Sequence, residues 1–243
     1  MLRQLWSDET RLNDGKRSTA HPAVTCATTV RHAPQHPLTA YPPPGRPGGA
    51  GFTVDETPAG SSTGFGIVVV ALPGDCGQIG MAFCPGYKEP GPCAPTGCRG
   101  LEADLEAISA WGADAVVTLL EMSELEALGI PLLPTLLLKR GVEWHHLPIP
   151  ETGVPDSRFE GTWLSSGQRL REILANGGRV LVHCRDSLGR TGTIAAKLLV
   201  EFGFKPSDAI ALVRITHPGT MVTSAQERYV MNLKKWHHTG CFI

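Results

Sequence analysis

The chain lacks long apolar runs. Its longest, such as Ile67 to Leu72, fall far short of the ~20 residues that a membrane-spanning helix needs. It also lacks an excess of either charge: 22 Lys and Arg against 23 Asp and Glu leave a formal net charge of −1 over 243 residues. That balance argues against a generic nucleic-acid binder, whose affinity rests on clustered Lys and Arg, though it leaves room for a small basic pocket. The N-terminal stretch MLRQLWSDETRL carries charge where an export signal needs an apolar core. The seven cysteines are odd in number and belong to a chain too large to need disulfide staples. Cys84, Cys93 and Cys98 lack paired C-x-x-C spacing, which speaks against zinc. No internal repeat is present. We therefore expect a cytoplasmic, reducing location, no membrane association and no nucleic-acid partner.

Residues 1–63 are rich in Pro and Gly, with Pro42-Pro43-Pro44 and Gly45, Gly48, Gly49 and Gly51 at their densest part. Such a stretch buries too little apolar surface to offset its ordering entropy, so we expect a mostly disordered tail. The triple proline alone is weak ground for a docking ligand. Residues 64–243 read as the folded domain. Ile67–Leu72, Ile79–Phe83, Ala115–Leu120, Val142–Leu147 and Arg179–Val182 are apolar strand candidates. Helical spacing recurs at Leu101, Leu105, Ile108 and Trp111, closed by Gly112. It recurs at Phe159, Trp163, Leu170 and Ile173, before Gly177-Gly178. Leu132–Arg140 reads as helical, and Ser123 with Glu126, and Ser157 with Glu160, match capping boxes. Thr191–Phe202, Pro206–Thr216 and about Ser224–Trp236 complete an α/β layered domain: a central mixed sheet of about five strands flanked by helices.

The chemistry-bearing stretch is Val182-His183-Cys184-Arg185-Asp186-Ser187-Leu188-Gly189-Arg190-Thr191-Gly192. An apolar strand ends at a cysteine, and an arginine six positions on opens a helix. Such a loop aims backbone N–H groups and a helix N-terminus at one point, which makes an anion site. The same field stabilises a thiolate, so Cys184 is a candidate nucleophile. Arg190 offers a planar fork for two phosphate oxygens. Thr191 can hydrogen-bond the sulfur and help it leave. These parts suit phosphoryl transfer through a cysteinyl-phosphate.

The stretch resembles the H-C-x5-R-[ST] signature of the cysteine-dependent protein tyrosine and dual-specificity phosphatases. The similarity runs from about Leu72 to Trp236 and is greatest to the kinase-associated phosphatase group and its bacterial relatives. It is carried by Ala71-Leu72-Pro73-Gly74, His145-His146-Leu147-Pro148-Ile149, Val154-Pro155-Asp156, the signature loop and Thr223-Ser224-Ala225-Gln226-Glu227. The resemblance implies hydrolysis of phosphate monoesters without metal or cofactor. It implies a phosphate-binding loop of Arg185, Asp186, Ser187, Leu188, Gly189 and Arg190, and a water-positioning role for Gln226.

Three positions depart from the family pattern. Glu151 stands where relatives place the general-acid Asp, Asp186-Ser187 stands where small residues are usual, and His217 stands where Arg is common. Asp156 is the alternative acid, but it directly precedes a helix start. Glu151, between Pro150 and Thr152-Gly153, has no structural task and is preferred. His183 is expected to order the loop through neighbouring backbone. Gln226 has an equal second reading as the capping-box partner of Thr223. Cys84 is a conceivable resolving partner for an oxidised Cys184, Lys88 reads as an ordinary surface lysine near the site mouth, and His237-His238 as solvated.

We therefore expect a phosphatase for phosphotyrosine, with phosphoserine and phosphothreonine as further substrates, acting on phosphorylated protein or peptide. Two rivals remain: a pseudophosphatase that binds phosphorylated partners without turnover, and a phosphatase for phosphoinositide or RNA 5′-phosphate. The oligomeric state is not legible.

Overall fold

The computed structural model describes residues 65–87 and 100–233. The expectations for residues 1–63, Lys88, Cys93, Cys98 and His237-His238 lie outside the described residues. Five strands, β1 (Val68–Ala71), β2 (Gln78–Ala82), β3 (Ala115–Thr118), β4 (Glu143–His146) and β5 (Arg179–His183), form one sheet in the order β1-β2-β5-β3-β4. Only β1 and β2 pair antiparallel; β2, β5, β3 and β4 run parallel. The mixed sheet expected from the sequence is therefore present, with β5 at its centre.

Residues alternate across the sheet because successive side chains of a strand point to opposite faces. On β5, Val180 and Val182 enter one core while Leu181 enters the other; on β3, Ala115 and Val117 oppose Val116. The first core is covered by α4 (Ser157–Ala175), α5 (Gly189–Glu201), α6 (Pro206–Thr216) and α7 (Ser224–Met231). The second lies under α1 (Leu101–Trp111), α2 (Met122–Ala127) and α3 (Leu133–Lys139). Gly112 ends α1 at φ 78°, a left-handed conformation that glycine adopts without a Cβ clash.

Two helix starts differ from expectation. Glu121, not Ser123, caps α2, and its box partner is Glu124 rather than Glu126. The expected box lies two residues too late because the helix begins as soon as Glu121 can serve as cap. At α4, Asp156 rather than Ser157 is the cap: its Oδ1 accepts the Phe159 N–H at 2.8 Å. Glu160 then has no capping duty and reaches Lys197 and Tyr229 instead. The helix α7 ends at Met231 with Asn232 as its cap, earlier than the Trp236 expected. Among the described residues, no helix is long and apolar enough to cross a membrane.

Candidate active site

The parallel strands β2, β5 and β3 point their C-terminal ends the same way, and the loop after β5 runs from there into α5. That loop, residues 184–188, carries Cys184 at 1% exposure directly after β5, whose last four residues are buried. The turn closes because Ser187 adopts φ 62°, a conformation that costs a non-glycine residue. Leu188 caps α5, so the first helical N–H groups face the same concavity. The expected strand–loop–helix arrangement of the signature is thus present.

A shallow pocket of about 130 Å³ opens over it, lined by Glu151, Thr152, Asp186, Gly189, Arg190, Val222, Thr223 and Gln226. Glu151, Arg190, Asp186 and Gln226 therefore meet at one site. Asp156 does not line it, and its carboxylate is committed to the α4 cap. A larger groove beside α6 and α7 contains none of these residues.

Arg190 is buried, and its guanidinium is held by a partner that the sequence did not single out. Glu124 accepts from Nη1 at 2.8 Å and from Nη2 at 2.9 Å, and Nη1 also donates to the Ile149 carbonyl at 3.0 Å. These bonds leave the Nε–H and the second Nη2 hydrogen as a parallel pair for two oxyanion oxygens. Burial is the largest influence and disfavours the Arg190 cation, but the Glu124 hydrogen bonds and the nearby acidic groups together outweigh it and raise its pKa. Burial likewise works against the Glu124 carboxylate, and the Arg190 hydrogen bonds hold its pKa below the ordinary range. Nothing local could have revealed this pair, whose members lie on α2 and α5.

Behind the cysteine runs a relay of hydrogen bonds. Trp144 Nε1 donates to Thr118 Oγ1 at 2.9 Å, and Thr118 Oγ1 lies 2.8 Å from His183 Nε2. The Cys184 carbonyl, 3.3 Å from Nδ1, can only accept, so the proton of the neutral imidazole sits on Nδ1 and Nε2 accepts from the Thr118 hydroxyl. Burial pushes the His183 pKa down to about 4, so the ring is neutral. His183 thus links β3 to the backbone at the start of the loop.

Three contacts at the loop depart from the sequence reading or extend it. The Cys184 Sγ–H donates to Asp186 Oδ1 at 3.5 Å, and the Leu188 N–H approaches the same oxygen at 3.4 Å. The Thr191 hydroxyl, expected on the sulfur, is buried with no hydrogen-bond partner. Arg185 pairs with Glu151, a link between two largely exposed side chains that ties the 150–153 turn to the loop. The Gln226 side chain is the capping-box partner of Thr223, the second of its two expected readings. It also lines the pocket and donates to the Gly153 carbonyl at 3.3 Å.

Cys84 is fully buried at the end of β2, beside β5, and its N–H donates to the Arg185 carbonyl at 3.1 Å. Burial first, and proximity to Cys184 second, push its pKa up, so it rests as a thiol. Cys76, Cys84 and Cys184 are free cysteines.

Comparison with known proteins gives a consistent answer. Residues 89–230 match the family described as "PTP-SAK: Swiss Army Knife protein, DSP-PTPase phosphatase domain". The rat protein Cyclin-dependent kinase inhibitor 3 is 31% identical over 149 residues, which cover 58% of this chain and 69% of the relative. Tyrosine-protein phosphatase CDC14 of Candida albicans is 38% identical over 72 residues, 28% of this chain and 13% of that one. A crystal structure of kinase associated phosphatase, with its catalytic-site cysteine replaced by serine, superposes with a TM-score of 0.59. It is 25% identical and covers 68% of this chain and 92% of its own. The family model spans more than half of the chain and the rat relative is covered over two thirds of its length, so this chain belongs to the dual-specificity and tyrosine phosphatase domain family and is a phosphatase.

Proposed function

We propose that this phosphatase hydrolyses phosphotyrosine, with phosphoserine and phosphothreonine as further substrates, in phosphorylated proteins or peptides. The observation that carries the reading is the loop from Cys184 to Arg190, with a buried thiol at one end and a buried, Glu124-clamped guanidinium at the other. The names of the rat and Candida relatives support a protein substrate. We take residues 64–243 as the catalytic domain and residues 1–63 as a tail. We place the protein in the cytoplasm, where the free thiols Cys76, Cys84 and Cys184 suit a reducing compartment.

In this reading Cys184 first loses its Sγ–H proton to solvent, and the thiolate attacks phosphorus as the bond to the leaving oxygen breaks. The loop N–H groups and the free edge of Arg190 hold the equatorial oxygens. Glu151 protonates the leaving oxygen once its pairing with Arg185 opens. Water, oriented by Gln226, then attacks phosphorus; the S–P bond breaks, Glu151 takes the water proton, and Thr191 turns its unpaired hydroxyl to the departing sulfur. Arg185 is the one cation that the loop adds. A single added cation disfavours a phosphoinositide or RNA 5′-phosphate substrate, whose extra charges call for several.

One observation favours a second reading, binding without turnover: Asp186 Oδ1 lies 3.5 Å from the sulfur. Stopped-flow hydrolysis of an aryl phosphate, a phosphopeptide and a phosphoinositide, by wild type beside Cys184→Ser, separates the readings. A burst and turnover in wild type alone, on aryl phosphate and phosphopeptide, is the expected result. Oxyanion binding with neither burst nor turnover favours the binder.

A further inference from the structure

Ser187, in the loop after β5, and His217, at the end of α6, meet in the fold. The Ser187 side chain is buried at 1% exposure, and its Oγ lies 3.2 Å from His217 Nε2. A buried hydroxyl requires a partner, and here the imidazole supplies it. His217 is delivered by the end of α6. Pro218 excludes the helical conformation from the residue before it, and His217 takes φ −131° and ψ 87° as the cap. A second tie lies four residues on, where the Met221 N–H donates to the Leu188 carbonyl at 3.2 Å. Met221 and Ser187 are the two non-glycine residues at positive φ among the described residues, at 57° and 62°. Both left-handed residues therefore belong to one contact, between the phosphate loop and the 217–221 segment.

We propose that His217 is a positioning residue for oxyanion binding: its hydrogen bond to Ser187 Oγ holds the phosphate loop in its left-handed turn. The role depends on the reading of residues 184–190 as the phosphate loop. A glycine at position 187 would adopt φ 62° freely and would need no such support. Serine has a Cβ to accommodate there, and the imidazole bond supplies the preference that glycine's freedom would otherwise give. The burial of His217 lowers its pKa and keeps the ring neutral, able to accept from or donate to the hydroxyl.

The prediction is conditional, which makes it decisive. Vanadate affinity and the kcat and KM for p-nitrophenyl phosphate are measured on the full chain as wild type, His217→Ala, His217→Gln, Ser187→Ala, Ser187→Gly and His217→Ala/Ser187→Gly. Thermal melts accompany each. His217→Ala and Ser187→Ala should each weaken vanadate binding by about 10-fold, the equivalent of one hydrogen bond, and raise KM in parallel. His217→Gln, whose amide can reach the place of Nε2, should recover most of the loss. In the Ser187→Gly background, His217→Ala should have little further effect. Equal losses from His217→Ala in both backgrounds would overturn the proposal, as would no loss in either. If His217→Ala proves unfolded, Ser187→Ala carries the test, and undiminished vanadate affinity there is equally fatal. A wild type that binds vanadate without turnover would leave the proposal standing while removing the phosphatase reading of the loop. A wild type that binds no vanadate removes both.

Discussion

Asp186 is the least expected neighbour of the nucleophile, and replacing it by Asn isolates its charge. The amide oxygen can still accept from the Leu188 N–H, while the carboxylate 3.5 Å from Cys184 Sγ becomes neutral. Two unit negative charges at that distance repel by about 1 kcal/mol in bulk water and about 5 kcal/mol at an effective dielectric of ~20. Asp186 is exposed, so the lower end governs. We take about 1–2 kcal/mol, a factor of roughly 5 to 30. A dianionic phosphate in the same loop feels the same sign. Asp186→Asn should therefore tighten vanadate binding and raise kcat/KM on p-nitrophenyl phosphate by about 10-fold. Iodoacetate should also alkylate Cys184 faster at pH 6. The assays are vanadate titration, steady-state kinetics and timed alkylation, with and without phosphate as protectant. Weaker vanadate binding together with slower alkylation would refute the reasoning, because Asp186 would then be supporting the thiolate or the loop rather than repelling it.

Three further predictions address the surrounding parts. Glu151→Gln should slow hydrolysis of alkyl phosphates by roughly 10²-fold while largely sparing p-nitrophenyl phosphate. Asp156→Ala should cost about 1 kcal/mol of stability through the lost cap without that leaving-group pattern; the reverse result in kinetics moves the acid to Asp156. Glu124→Gln leaves the Arg190 cation, 2% exposed, beside a neutral partner, and should cost about 3 kcal/mol in urea denaturation and weaken vanadate binding. An unchanged midpoint would mean that the Ile149 and Leu119 carbonyls, 3.0 and 3.4 Å from Nη1, suffice. His183 titrates at about 4 in the fold against about 6.5 in the unfolded chain. Between those values the unfolded state binds a proton that the fold excludes. Its contribution, about 3 kcal/mol, is therefore present above pH ~6.5, is lost as pH falls toward ~4, and is constant below that. Thermal melts that stay flat from pH 6.5 to 4.5 would contradict it.

The parts of the site that were legible in the sequence are those whose geometry is local. Cys184, the loop and Arg190 lie within one strand–turn–helix unit, and the apolar run Arg179–Val182 with the helix pattern after Thr191 dictates that unit. Thr223 and Gln226 are separated by one helical turn, so their box was readable too. Glu124 was not readable, because its meeting with Arg190 depends on how α2 packs beside the end of β3, 66 positions away in sequence. Thr118 and Trp144 become neighbours of His183 only through the β5-β3-β4 order, which no local pattern encodes. Asp186 shows a different limit. Its charge near the sulfur was anticipated from sequence, but its direct contact with the sulfur depends on side-chain directions within a turn. The misplaced box at Ser123 and Glu126 has the same origin as many such errors: two overlapping matches to one pattern, decided by where the preceding strand releases the chain.

The helix behind the phosphate loop sets how the site can move. From Arg190 to Val200 every residue of α5 is buried, enclosed by the sheet on one side and by α6 and α7 on the other. Such a helix has no solvent-facing edge along which to fray, so its amides can exchange with solvent only when the domain as a whole comes apart. The two ends of the chemistry then differ in kind. The Arg190 end shares the global stability of the molecule, whereas the Glu151 turn, exposed and tied by a surface ion pair, can open and close on its own. An oxyanion that binds the native loop but not the unfolded chain would therefore raise the stability of the entire domain, not of a local lobe.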